Sequence, residues 1–241
     1  YQFKKAALED KEIIDHYFRH HTSRSCERTF VNLYLWSRQY PVKWAVIENT
    51  LVFKSEDENH IAFAFPAGKD EDVKNVIPVL ERYCEDRGRT FSMYNVTPDN
   101  FEYLEKWYPG RFEIEYVESD ADYVYESEKL ATLSGKKLHS KRNHINKFKI
   151  VYADRWSYEP ISEDNLEECV QTGLKWRNEN GCEEDEEKNA ELCVTLNSLR
   201  LFKELDLVGG ALRVDGKIIA FTIGEPLSED TFVVHIEKAL G

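Results

Sequence analysis

The chain reads as an α+β protein, in the wider α/β class, made of two tandem modules, each a mixed, mainly antiparallel sheet flanked by helices. Three observations predict this. Short apolar runs bounded by turn residues fall into two groups of three, and each group follows stretches with helical apolar spacing. The order of elements leading into the second group repeats that of the first. Finally, 241 residues with 41% hydrophobic and 13% aromatic content lean toward two domains or one large one.

In the first module Ile13, Ile14, Tyr17 and Phe18 recur at the spacing of one helix face. A second helix is expected over 27–38, with Phe30, Leu33 and Tyr34 inward. Strands at 44–47, 51–54 and 61–65 are split by Glu48-Asn49-Thr50 and by the polar stretch 55–59, as in an antiparallel meander. Val73, Val76, Ile77, Leu80, Tyr83 and Cys84 then follow a helical period that Arg87-Gly88 closes. A strand at 91–96 runs into Thr97-Pro98-Asp99, a helix start with proline in the first turn, and Pro109-Gly110 ends that helix. Extended segments are expected at 112–117 and 123–125, around Ser119-Asp120.

The second module begins again with a basic helix over 135–148 and a strand at 149–153. Pro160-Ile161-Ser162 caps a helix carrying Leu166, Cys169, Val170, Gly173 and Leu174 on one face. The next helix carries Leu192, Leu196, Leu199 and Phe202. Strands follow at 207–214 and 217–223, joined by Asp215-Gly216, the strongest short-range hairpin signal, and a third lies at 231–237. The modules are therefore expected at 1–128 and 129–241. The second stops after its third meander strand, where the first continues, so the natural protein is expected to extend beyond Gly241.

Composition narrows the function classes. The formal net charge is −13, which argues against a general duplex-DNA binder. No run is apolar for the roughly 18 residues of a membrane helix, and the start of the chain lacks the apolar core of a signal peptide, so a cytoplasmic protein is expected. Cys26, Cys84, Cys169, Cys182 and Cys193 are odd in number and form no Cys-x-x-Cys pair, as in a reducing compartment. No zinc quartet is present, His20-His21 stand without matching ligands, and Glu183-Glu-Asp-Glu-Glu187 reads as a solvated loop or helix start rather than a calcium loop. No metal is expected.

Against that acidity stands Leu133-Ser-Gly-Lys-Lys-Leu-His-Ser-Lys-Arg-Asn-His-Ile-Asn-Lys-Phe148, a stretch free of acidic residues. Lys137, Lys141, Arg142, His144 and Lys147 are the candidate contacts for phosphate or carboxylate. Arg142 offers a planar fork and Lys141 a mobile point charge. A solvated basic helix face is the competing reading. On the last strand, His235 and Glu237 alternate with Val234 and Ile236, which points both to one face and makes them candidates for acid–base work. A surface pair of Glu237 with Lys238, or a histidine bonded to backbone, is the plainer alternative. Trp176, Arg177 and Asn178 suit core packing or a stacked base, whereas Tyr34 and Trp36 suit helix packing.

The predicted order, β-α-α-β-β-β-α-β-α-β-β, resembles the GNAT acyltransferase fold in tandem. More narrowly, Thr29-Phe-Val-Asn-Leu-Tyr-Leu-Trp36, the basic stretch from Leu133 to Phe148, and Val233-Val-His-Ile-Glu-Lys-Ala239 resemble the phosphatidylglycerol lysyltransferase C-terminal-like family, in its soluble branch without a membrane portion. The resemblance implies transfer of an aminoacyl or acyl group from an activated donor to a small-molecule, peptide or lipid acceptor bearing an amine or hydroxyl. It implies no tightly bound cofactor. Aminoacyl-tRNA is the favoured donor and acetyl-CoA the alternative, because Phe65-Pro-Ala-Gly-Lys-Asp70 is a weak phosphate loop with a single glycine. A tandem module that binds an anion or RNA without catalysis is the third class.

Overall fold

The structure is a computed structural model that describes residues 1–19, 28–116, 124–181 and 185–241. Cys26, Cys182, His20-His21, Ser119-Asp120 and Glu183 and Glu184 lie outside the described residues. The chain divides into two compact units, Tyr1–Glu118 with Leu227–Thr231, and Ser119–Pro226 with Phe232–Gly241.

In the first unit the described residues form a five-stranded sheet in the order β1 (Lys4–Lys5), β2 (Lys43–Ile47), β3 (Thr50–Glu56), β4 (His60–Ala64), β5 (Thr90–Tyr94). The first three pairings are antiparallel and the last is parallel. The parallel step needs a crossover. Helix α3 (Asp70–Glu85) supplies it, with α1 (Lys11–Phe18) and α2 (Phe30–Leu35) before the meander and α4 (Pro98–Trp107) after β5. Apolar positions at period two on the strands meet positions at helical period on α3. Ala45, Ile47, Val52, Ile61 and Phe63 thus pack on Val76, Leu80 and Cys84. Phe65, Val73, Ile77 and Leu104 form a second cluster that ties α3 to α4. Thr97 caps α4 as its sequence implies, its hydroxyl accepting from the Asn100 amide at 3.1 Å.

In the second unit α5 (Ser127–Thr132) and α6 (His139–Tyr152) lead to β6 (Trp156–Pro160), α7 (Leu166–Asn180), α8 (Glu186–Arg200), β7 (Val208–Val214), β8 (Lys217–Pro226) and β9 (Phe232–Ala239). The sheet order is β6-β7-β8-β9, antiparallel throughout. Both residues of Asp215-Gly216 have positive φ, 52° and 80°, the conformation of the two-residue turn expected there. Asp185 caps α8 through bonds from the Glu187 and Lys188 amides, at 3.0 and 3.1 Å, so the described part of the acidic run is a helix start.

Three expected strands are corrected. The segment 149–153 continues α6 to Tyr152 instead of forming a strand. Its β-branched Ile150 and Val151 favour extended chain locally, but Phe148 and Tyr152 meet one helical turn apart at 4.7 Å, and pairing with β7 starts only at Trp156. Among the described residues of the other two expected strands, 112–116 and 124–125 are not extended ladders. Phe112 instead packs against Phe91 and Tyr108, at 6.3 and 6.4 Å. Residues 117 and 123 lie outside the described set.

Candidate functional site

Helix α5 stops at Leu133, whose φ of 52° is left-handed, and Gly135 follows at φ 91°. This left-handed junction separates α5 from the short turn that leads into α6. Arg142 secures it, with Nη1 donating to the Leu133 carbonyl and, at 2.8 Å, to the Gly135 carbonyl. The residue expected to lead anion contact is therefore half-buried and already holds the loop. Its Nη2 stands 3.4 Å from His139 Nδ1.

Around this clasp lies an open hollow of about 530 Å³ lined by Ser134, Gly135, Lys136, His139 and Arg142. The first turn of α6 contains no acidic residue, and neither the helix nor the short turn before it has a side-chain cap. Cations thus stand at the positive end of a helix dipole, which is unfavourable until an anion joins them. Lys137, Lys141, His144 and Lys147 are exposed and have no hydrogen-bond or ion-pair partner among the described residues. Of the five predicted contacts, the structure brings only Arg142 into the hollow, beside Lys136 and His139, which carry the same chemistry.

The second candidate group sits on β8 and β9. The ladder pairs Ile223 with Ile236 and Gly224 with Val234, so His235 is an extra residue without a register partner. This bulge breaks the period of two: Val233, Ile236 and Lys238 are buried, while Val234 and Glu237 are exposed. Simple alternation, on which the pairing of His235 with Glu237 rested, does not hold here. The His235 side chain is 6% exposed and its Nε2 lies 2.7 Å from Oε1 of Glu225, itself 14% exposed. With the Glu225 carboxylate as acceptor, Nε2 is the donor of this bond, and in the neutral tautomer that makes it Nδ1 is the acceptor. Sequence reasoning missed Glu225. The signal that would have exposed the bulge is the apolar pattern Val233, Val234, Ile236, which no single strand face accommodates.

Other charged groups are accounted for structurally. Lys238 is buried, paired with Glu191 and set 4.3 Å from the Trp176 ring centre, which assigns Trp176 to packing and leaves Glu237 without the expected lysine partner. Arg213 binds both Glu168 oxygens at 2.6 and 2.7 Å, as well as Glu159, and so ties β6, β7 and α7 together. The guanidinium holds both carboxyls below the usual carboxylate range. In the first unit Gly68 is explained by space: a Cβ there would lie 3.0 Å from Thr50 Cγ2 and 3.1 Å from the Asn49 carbonyl oxygen. The helix after it opens on Asp70, Glu71 and Asp72, a charge that repels phosphate. Among the described residues no cluster of three or more metal-binding side chains occurs, and no helix is long and apolar enough to cross a membrane.

Comparison with known proteins adds a family. A model described as phosphatidylglycerol lysyltransferase, C-terminal, matches residues 18–241. A conserved protein of unknown function from Bacteroides thetaiotaomicron has a solved structure similar to this one, with 37% identity, a TM-score of 0.89, and coverage of 98% of this chain and 79% of that one. The C-terminal domain of a putative lysylphosphatidylglycerol synthetase from Agrobacterium fabrum is similar in fold, at 14% identity and a TM-score of 0.57, covering 97% of this chain and 68% of that one. An uncharacterized protein of Mycoplasmoides gallisepticum is 29% identical over 136 residues, which is 55% of this chain and 44% of that protein. The match therefore spans under half the length of that curated relative.

Proposed function

Because the chain belongs to the phosphatidylglycerol lysyltransferase C-terminal family, we propose that it transfers an aminoacyl group from aminoacyl-tRNA to an acceptor amine or hydroxyl. The observation that carries this reading is the acid-free cationic segment folded around an open hollow in a chain of net charge −13. A polyanionic donor fits that segment better than it fits the three carboxylates at the start of α3, where an acetyl-CoA pyrophosphate would have to sit. Acetyl-CoA-dependent transfer is accordingly the weaker reading.

The chemistry asks for a proton acceptor and a donor to the oxyanion. The acceptor's nitrogen or oxygen bonds to the ester carbonyl carbon and gives its proton to His235 Nδ1. The ester C–O bond then breaks, and the departing ribose oxygen takes that proton. Glu225 fixes the ring and stabilises the imidazolium. The bulge leaves His235 without a register partner, a position that suits a backbone donor to the oxyanion. Glu237, exposed on the same strand, is the alternative base.

The test is transfer of radiolabelled aminoacyl groups from a charged tRNA pool to a soluble amine and to a dispersed lipid hydroxyl. Loss of a general base lowers kcat by about 10²–10⁴-fold with little effect on donor KM, which is expected for His235→Gln and not for Glu237→Gln. Lys141→Ala should instead weaken tRNA binding and flatten its log–log salt slope by about one unit. Turnover with acetyl-CoA and none with aminoacyl-tRNA would overturn the donor assignment. No turnover with either donor would leave an anion-binding module.

A further inference from the structure

We infer that the outward face of the second sheet is where two copies of the chain meet. In each unit the helices before the meander lie on one face of it. Phe18 of α1 stacks on Phe53 of β3, and Trp176 of α7 and Glu191 of α8 meet Lys238 of β9. In the first unit α3 covers the opposite face, that of Val52. In the second unit the opposite face is open. The ladder fixes what it carries, because residues directly across from one another share a face. Val208, Gly224 and Val234 form one row, and Gly210, Thr222 and Glu237 the next. Tyr158, two residues from the ladder partner of Gly210, and Phe232, two residues from Val234, point the same way. Tyr158 is 65% exposed, Phe232 53%, Val208 50% and Val234 48%. The glycines keep the face flat: the Tyr158 ring lies where a side chain on Gly210 would stand, and the Phe232 ring does the same over Gly224.

An open apolar surface rimmed by polar groups marks an interaction site, and its charge selects a second copy as the occupant. The chain has a net charge of −13, but this face carries one cation, Lys217 at the start of β8, and one carboxylate, Glu237 on the edge strand. Neither has a hydrogen-bond or ion-pair partner among the described residues. The face is therefore neutral, with one charge of each sign at its margin, and two copies meet there without the repulsion that the rest of an acidic surface imposes. A twofold contact sets the same patch on both sides and needs such self-complementarity, and two sheets pack face to face through their apolar rows. The edge of β9 is the competing surface, but the bulge at His235 interrupts its ladder.

The experiment is sedimentation equilibrium of the full chain, paired with hydroxyl-radical footprinting at rising protein concentration. No acyl donor is present, so the outcome is independent of the transfer reading. A dimer with a Kd of about 10 μM is expected, and oxidation of Tyr158 and Phe232 should fall as it forms. Val208→Lys with Val234→Lys changes two exposed side chains and opposes like charges across the contact. It should raise the Kd about 100-fold or more, with circular dichroism close to wild type. Ile150→Lys, on the exposed flank of α6, should leave the dimer intact. A monomer up to about 1 mM, a dimer that the double variant leaves intact, or a dimer that Ile150→Lys abolishes overturns the proposal. If the double variant misfolds, the wild-type footprint decides, and oxidation of Tyr158 and Phe232 that does not change with concentration overturns it. Rings already protected in the monomer assign the face to cover from within the chain.

Discussion

A Cβ on Gly224 would stand 2.1 Å from the Val233 carbonyl oxygen and 2.6 Å from the Phe232 ring. Backbone is the obstacle, so no rotamer change relieves it. Gly224→Ala must therefore push β9 away from β8 at the bulge that holds His235 against Glu225. The expected cost is about 1–3 kcal/mol in chemical denaturation, with a loss of transfer larger than stability alone explains. Wild-type stability in that variant would show that the bulge is pliable. Cysteines give a second residue-level expectation. Burial pushes the Cys84 and Cys169 thiols up to about 11, so neither forms appreciable thiolate near neutrality, whereas Cys193 is exposed. Alkylation followed by peptide mapping should label Cys193 in the native protein, and Cys84 and Cys169 only after unfolding. Rapid native labelling of Cys169 would contradict its burial. At this scale the sequence is informative about type and silent about partners: His235 stands out as a polar residue in an apolar strand, but Glu225 becomes its neighbour only through a bulge.

Elements show the same division between local and distant causes. The Asp215-Gly216 hairpin, the Thr97 cap and the period of α3 are properties of a few adjacent residues, and all are legible in the sequence. The end of α6 is not. Ile150 and Val151 favour strand by their branching, but the Phe148–Tyr152 contact and the distant demand of β7 for Trp156 decide the matter. The ion-pair cluster of Arg213 with Glu159 and Glu168 is equally hidden, since it joins three elements. It makes a pH prediction. Both carboxyls titrate below their ordinary value when folded, Glu168 and Glu159 each held down chiefly by the Arg213 hydrogen bond. Their stabilisation is therefore fully present above about pH 4.3, the unfolded glutamate value, and disappears as pH falls through the lowered folded values. Arg213→Met should lower Tm at neutral pH and flatten the acid limb of Tm against pH. Parallel curves for the two proteins would show that solvent screens the cluster completely, as it does many partly exposed pairs.

Across the whole chain, the repeated order of two helices and a three-strand meander is legible because it rests on periodicity, which burial enforces everywhere, whereas the strand that opens each unit, Lys4–Lys5 and Trp156–Pro160, is not. The described residues of each unit carry the repeated order, from α1 to β4 and from α7 to β9. The placement of charge is legible as well, because an acid-free segment is a count along the chain. What the segment grips, and that Arg142 grips the chain itself, depends on a reversal at Leu133 and Gly135 with no distinctive composition beyond one glycine.

The pairing of Trp156 with Val214 has a temporal side. Strands β7, β8 and β9 are neighbours in sequence and meet through short connections, whereas β6 reaches β7 only across both intervening helices, a longer closure with a higher entropic cost. A growing chain completes β6 well before its partner exists. Until then its ladder groups are open to any other strand. Glu159 and Pro160 within it, a charge and a missing N–H, are the means by which a waiting edge resists pairing with another chain.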